Sequence, residues 1–292
     1  MTPRPSPHRL VRALSHLALA LTVVAGAATA TSLPANPGLQ SRSFYVFDES
    51  NASVVLSRKA DVAKPIASIT KLMTALVVLE AKPSLDEVLT IEPQDGVGAK
   101  TVTSRLSFGT RLSRADLLHL ALMSSENRAA HALARNYPGG LAACIHAMNA
   151  KAAALGMKTA HFEDPTGLSS ENVASSEDLA KLVHAASASD KIQEYSTDES
   201  YTVRVGHRDV EFRNTDALVR NPAWNIVIQK TGYIAEAGRC LVMKTILEGR
   251  SIVIVLLDST GKYTRVADAK RVRKWLEAHL VAETKHSGAK RG

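Results

Sequence analysis

Strand-like runs at both ends of the chain bracket a long helical middle, and that arrangement limits the folds open to it. Phe44-Tyr45-Val46-Phe47 and Ser53-Val54-Val55-Leu56 are β-branched and aromatic, and the turn chemistry of Asp48 to Asn51 between them predicts a hairpin. From Arg111 to about Ser187 the pattern is helical, with Ser113-x-x-Asp116 and Ser175-x-x-Asp178 resembling N-terminal caps. Pro138-Gly139-Gly140 ends the helix that holds Ala129–Ala134, and Pro165-Thr166-Gly167 marks a loop. β-type runs return at Tyr201–Val205, Trp224–Gln229, Arg239–Ile246 and Ser251–Leu257, the last two joined by a Glu248-Gly249-Arg250 turn. Val272, Trp275, Leu276, His279 and Leu280 share one face of a closing helix. The simplest fold is α/β of the α+β kind. An antiparallel sheet built from both ends of the chain is flanked by the first and last helices, with an all-helical insertion over about residues 81–200. A site in the cleft between the two parts follows from that layout.

The domain so outlined covers residues 43–281, within a chain of 292 residues, long enough for a large core. Its formal charge of +8 is unevenly placed: residues 1–30 carry +3, residues 270–292 carry +5, and the body between them is neutral. The basic tail, 282–292, has two readings, a solvated end or a weak contact with a membrane or cell-wall surface. No basic patch interleaved with aromatics points to nucleic acid. Residues 1–30 read as a signal peptide: Arg4, Arg9 and Arg12 lead an apolar stretch from Ala13 to Ala27, and Ala28-Thr29-Ala30 is a small-x-small cleavage site. The competing reading is an uncleaved anchor, which the shortness of the apolar run disfavours. Residues 31–42 form a linker, and the mature protein is expected in the periplasm. Cys144 and Cys240 fall on unlike elements without framework spacing, which favours two unpaired thiols.

Three short motifs carry the chemistry. Ser68-Ile69-Thr70-Lys71 opens an apolar helix, Ser125-Glu126-Asn127 lies between two helices, and Lys230-Thr231-Gly232 closes an apolar strand. Each is weak alone. Ser-x-x-Lys recurs at Ser259–Lys262 and Ser287–Lys290, and Ser-Glu-Asn recurs at 170–172. Only Ser68 stands at the head of a long apolar helix, with Lys71 one turn on along the same face. A serine hydroxyl needs a base to become a nucleophile. A lysine serves when burial or a second cation lowers its pKa, and this sequence offers both, the second cation being Lys230. The ten histidines show no His-x-x-x-His or Cys/His spacing to suggest a metal.

In that order the motifs resemble those of the low-molecular-mass penicillin-binding proteins, the serine D-alanyl-D-alanine endopeptidase and carboxypeptidase family, with a β-lactamase/transpeptidase-like fold. The likeness extends over Lys64–Ala75, Leu122–Ala130, His161–Ser169, Phe212–Thr215 and Lys230–Leu241. It implies that Ser68 forms an acyl-enzyme, Lys71 is its general base and Ser125 relays a proton. It further implies that Asn127, Lys230, Thr231 and Gly232 hold the substrate, and that the backbone N–H groups of Ser68 and Tyr233 form an oxyanion hole. The implied partners are peptidoglycan stem peptides and cross-links, with β-lactams as covalent inhibitors, and no cofactor is implied. Glu163-Asp164-Pro165-Thr166 lacks the Glu-x-x-Asn of a class A-type β-lactamase. Carboxypeptidases of this family usually add a β-domain and an amphipathic anchor. A chain that stops soon after the closing helix resembles the endopeptidases instead, with carboxypeptidase as the alternative and a non-catalytic wall-binding protein as the reading from another class.

Overall fold

A computed structural model describes residues 37–97 and 104–289, with side chains as far as 279. The proposed signal segment, the first half of the linker and the last three residues of the tail lie outside the described residues. The chain begins with β1 (Ser43–Asp48), β2 (Ser53–Arg58) and β3 (Lys64–Pro65), then a 3-10 turn (Ala67–Ile69) that runs into α1 (Thr70–Glu80). Strands β4 (Val88–Thr90) and β5 (Arg111–Ser113) pair with each other and lead into α2 (Arg114–Met123), α3 (Asn127–Arg135) and α4 (Gly140–Ala154). Next come β6 (Val173–Ala174), α5 (Ser176–Ala186), α6 (Asp190–Thr197) and a hairpin of β7 (Ser200–Val205) and β8 (Arg208–Arg213). The chain closes with β9 (Asn225–Ile234), β10 (Gly238–Leu247), β11 (Arg250–Ser259) and α7 (Thr264–Ala289).

The principal sheet is antiparallel with order β2-β1-β11-β10-β9, so both ends of the chain meet at the β1–β11 pair. The expected hairpins form. Between β10 and β11, Glu248 and Gly249 both take positive φ (49° and 75°), as a two-residue primed turn requires. Strand alternation sorts the core into two layers. Ile252, Ile254 and Leu256 meet Val272 and Leu276 of α7, while Val253, Val255 and Leu257 join the core of α1 to α5. On β9 the rule breaks: Ile226 packs on the α7 side, yet Ile228, two residues on, faces the other layer. A bulge opposite Lys244/Thr245 adds the one residue that turns the strand over, and so sets which face Lys230 and Gly232 present.

Ser113 and Ser175 cap their helices as expected, each accepting a hydrogen bond from the N–H of the Asp three residues on. Four features differ from the sequence reading. The middle region carries the short strands β4, β5 and β6 besides its helices. Lys230-Thr231-Gly232 lies inside β9, which continues to Ile234, because pairing with β10 extends the strand past the glycine. Strand β8 was not anticipated; its charged sequence, Arg208–Arg213, is exposed at most positions. Helix α7 runs on to Ala289, through the segment expected to be a tail. Both cysteines are buried and unpaired, and burial pushes both thiols up, Cys144 to about 12 and Cys240 to about 11.

Candidate active site

Ser68 occupies the 3-10 turn ahead of α1, not the helix itself. The residue before it, Ala67, has φ of 49°, a left-handed conformation that costs a non-glycine residue about 1–3 kcal/mol. Two glycines crowd this turn. A Cβ on Gly167 would come within 1.9 Å of the Ala67 carbonyl oxygen, and one on Gly232 within 2.9 Å of the Ile66 oxygen and 3.1 Å of the Ser68 nitrogen. Loop and strand thus press on the Ser68 turn from two sides, at distances only glycine permits.

Lys71 follows one turn into the helix and has no solvent exposure. Its Nζ lies 2.9 Å from Ser68 Oγ, 2.7 Å from Asn127 Oδ1 and 2.6 Å from the Thr166 carbonyl oxygen. A neutral amine has two hydrogens and one lone pair. Asn127 and Thr166 are pure acceptors at these atoms and take the two hydrogens, which leaves the lone pair for the Ser68 hydroxyl. Burial lowers the Lys71 pKa from its usual 10.5 to about 7, against the opposing pull of the Asp164 and Glu126 carboxylates. The sequence reading also gave Lys230 a share in this. Desolvation carries it instead, and it is Lys230 that feels the neighbour: its pKa falls well below the normal value through burial first, then through Lys71 and Arg265.

The second motif is held at the junction of α2 and α3. Asn127 is the first residue of α3, Glu126 caps that helix through the Arg128 N–H, and half-buried Ser125 sits at φ 62°. The third motif is tied to the second through Thr215, which bonds Thr231 Oγ1 at 2.6 Å by its hydroxyl and donates its N–H to the Met123 carbonyl at 3.1 Å. Lys230 Nζ donates to the Thr231 carbonyl at 3.0 Å and is fully buried. Tyr233 is exposed, and the Arg239 guanidinium lies 4.4 Å from its ring centre. Lys71 therefore joins Ser68 and Asn127 directly, Thr231 is tied through Thr215 to Met123 at the end of α2, and Gly232 closely approaches the Ser68 backbone. No hydrogen bond among the described residues links Ser125 to either lysine.

Residues 161–172 do more than sequence reasoning assigned to them. Asp164 accepts hydrogen bonds from the N–H groups of Thr166, Gly167 and Ser169 at 2.6–2.8 Å. Asn172, fully buried, accepts from the Glu163 and Asp164 N–H groups and donates to Thr70 Oγ1 and the Asp164 carbonyl. This loop delivers the Thr166 carbonyl to Lys71. Asn172 closes the second Ser-Glu-Asn, so the repeat set aside as loop is the brace of the site; its recurrence was the available signal. Glu163 is exposed and lies 3.5 Å from His161. Arg265 in α7 was also missed. Its Nε and Nη1 are buried without a hydrogen-bond partner, and burial and Arg239 lower its pKa against Asp216.

Comparison with known proteins gives the family and the fold. Residues 29–261 match the D-alanyl-D-alanine carboxypeptidase family of peptidases, and the chain belongs to that family. The D-alanyl-D-alanine endopeptidase of Pseudomonas aeruginosa is 47% identical over 274 residues, 93% of this chain and 88% of the relative. The Escherichia coli D-alanyl-D-alanine endopeptidase is 44% identical, with 92% and 89% covered. The crystal structure of the Streptomyces K15 DD-transpeptidase superposes with a TM-score of 0.78 at 26% identity, covering 83% of this chain and 99% of that one.

Proposed function

We propose that the protein is a serine D-alanyl-D-alanine endopeptidase that cleaves peptidoglycan cross-links through an acyl-enzyme on Ser68. The observation that carries this is the buried Lys71, poised near neutrality and 2.9 Å from Ser68 Oγ. Ser68 Oγ attacks the carbonyl carbon of the scissile bond while its proton passes to Lys71 Nζ. The oxyanion is met by the backbone N–H groups of Ser68 and Tyr233. The tetrahedral adduct collapses, the C–N bond breaks, and the leaving amine takes a proton through Ser125. Water then attacks the ester, giving back the Ser68 hydroxyl and releasing the acid. Asn127 and Thr231 hold the peptide beside β9, where Gly232 admits its backbone. A β-lactam amide enters the same path and stops at the ester.

Endopeptidase is preferred to carboxypeptidase because the relatives named for the former are 47% and 44% identical to this chain. The Escherichia coli carboxypeptidase DacA is 27% identical, and the chain spans 62% of it. A β-lactamase fits poorly: the loop offers Lys71 a carbonyl, and Glu163 turns to His161. Export by residues 1–30 to the periplasm fits a cross-linked wall as substrate, and the basic tail adds at most a weak surface contact. Purified protein incubated with cross-linked and uncross-linked muropeptides tests the reading. Dimers should fall to monomers; trimming of free pentapeptides alone, with dimers intact, would replace it by the carboxypeptidase.

A further inference from the structure

A second concave site lies away from the nucleophile, between β1 and α5, with a volume of about 430 Å3. That is within the range of small-ligand sites, roughly 300–1,000 Å3. One wall is a pair of aromatic rings. Tyr45 and Phe47 stand at i and i+2 on the same face of β1, and their ring planes are 9° from parallel with centroids 6.0 Å apart. They form a flat, half-exposed platform. The facing wall is polar. Glu177, Lys181 and His184 recur at i, i+4 and i+7 along one side of α5, and Leu155 adds an apolar boundary.

The polar groups are not all spent on one another. Glu49 is saturated, accepting from Lys244, His184 and Ser251 at 2.7 Å each. That contact fixes the His184 ring through Nδ1 and leaves Nε2 as its remaining polar atom. Lys181 bonds Asp178 and the Gly156 carbonyl, both at 2.8 Å, keeping a third hydrogen. The Glu177 carboxylate has no hydrogen bond or ion pair among the described residues, and its charge, after burial, raises the Tyr45 pKa.

We propose that this groove binds a saccharide, the glycan strand of the polymer whose peptides the enzyme cuts. A pyranose presents C–H bonds on its faces and hydroxyl or acetamido groups at its edges. A flat aromatic pair takes the faces, and a carboxylate, an ammonium and an imidazole take the edges. A lipid chain or apolar peptide would leave the charged wall unmatched. Strands β11 and β10 separate β1 from β9, three strand spacings or roughly 14 Å. A glycan in the groove therefore leaves the peptide site open. The proposal rests on the peptidoglycan reading above, and its test does not depend on hydrolysis.

The full-length protein is titrated with a chitin tetrasaccharide by calorimetry and by amide NMR, beside peptide-free glycan strands and a sugar-free stem peptide. Binding of both saccharides is expected, with shifts at Tyr45, Phe47 and Lys181. Phe47→Leu, which keeps an apolar core contact, and Glu177→Gln should each weaken it about tenfold or less. Both should leave labelling of Ser68 by a fluorescent penicillin unchanged, and should slow release from intact sacculi but not from a sugar-free cross-linked dimer. No saccharide binding at millimolar concentration, binding indifferent to both substitutions, or occupation of the groove by the sugar-free peptide would each overturn the proposal. Loss of penicillin labelling in the parent protein would instead strike the peptidase reading.

Discussion

Ser68–Lys71 and Ser259–Lys262 have the same spacing and opposite fates. At the first, a 3-10 turn feeding a helix puts both residues on one side, and the side chains meet at 2.9 Å in the interior. At the second, Ser259 ends β11 fully buried, bonded to Ser41 at 2.8 Å, while Lys262 is exposed with its Nζ 5.3 Å from the Tyr263 ring centre. A strand followed by a turn sends residues three apart in different directions; a helical turn stacks them. Spacing becomes a contact only through the backbone beneath it, and it is burial that lowers the pKa of the first lysine.

That contrast can be broken in several places. Lys71→Ala should lower acylation by a labelled penicillin by about two to four orders of magnitude with the fold retained, measured by stopped-flow and circular dichroism. A variant that keeps most of its rate would make Lys71 merely structural. Gly167→Ala should come next, since its Cβ meets the Ala67 carbonyl oxygen at 1.9 Å. We expect a loss of about 3 kcal/mol in denaturant unfolding, with acylation reduced as well. An alanine variant with parental stability would show that the turn is not pinned as described.

The pH dependence sharpens the same point. In the proposed mechanism Lys71 acts as a base when neutral, so the acylation rate should climb as pH rises through about 7 and level off above it. Stability should follow with the same sign. The folded pKa is about 7 and the unfolded value near 10.5, so between those limits the unfolded chain binds more protons and folding is favoured as pH rises. Lys71→Met should flatten both profiles, each read against the parent. The smallest effect belongs to the other pair: Lys262→Ala should change unfolding by less than about 0.5 kcal/mol and acylation not at all.

What could be read from the sequence follows from the range of the forces involved. Hairpins, caps and the three motifs are set by neighbours within a few residues, so Ser113, Ser175, Ser68 and Lys71 announced themselves. That the sheet draws on both ends of the chain followed from the strand runs there, whereas its order, β2-β1-β11-β10-β9, did not. Gly167, Asn172 and Arg265 did not announce themselves, because their importance comes from residues far away in the chain: Gly167 from Ala67, Asn172 from Thr70 at 3.1 Å, Arg265 from Asp216 and Arg239. The Lys-Thr-Gly was found but placed at a strand end, since the pairing that carries β9 to Ile234 is supplied by β10. Its facing also depends on a bulge that no local pattern marks.

The β1–β11 pairing has a consequence for how the molecule comes to exist. Val46 lies opposite Ile254, so the strand made first waits for one made some two hundred residues later. Until then β1 and β2 are a lone two-stranded ribbon, which is marginal in water, carrying Phe44, Tyr45 and Phe47 with no layer to cover them. Closure over so long a stretch makes for slow folding and a long-lived sticky intermediate. Assembly is thus completed from the rear of the chain, and a nascent polypeptide halted before β11 has the β1–β2 and β9–β10 ribbons but not the strand that joins them into one sheet.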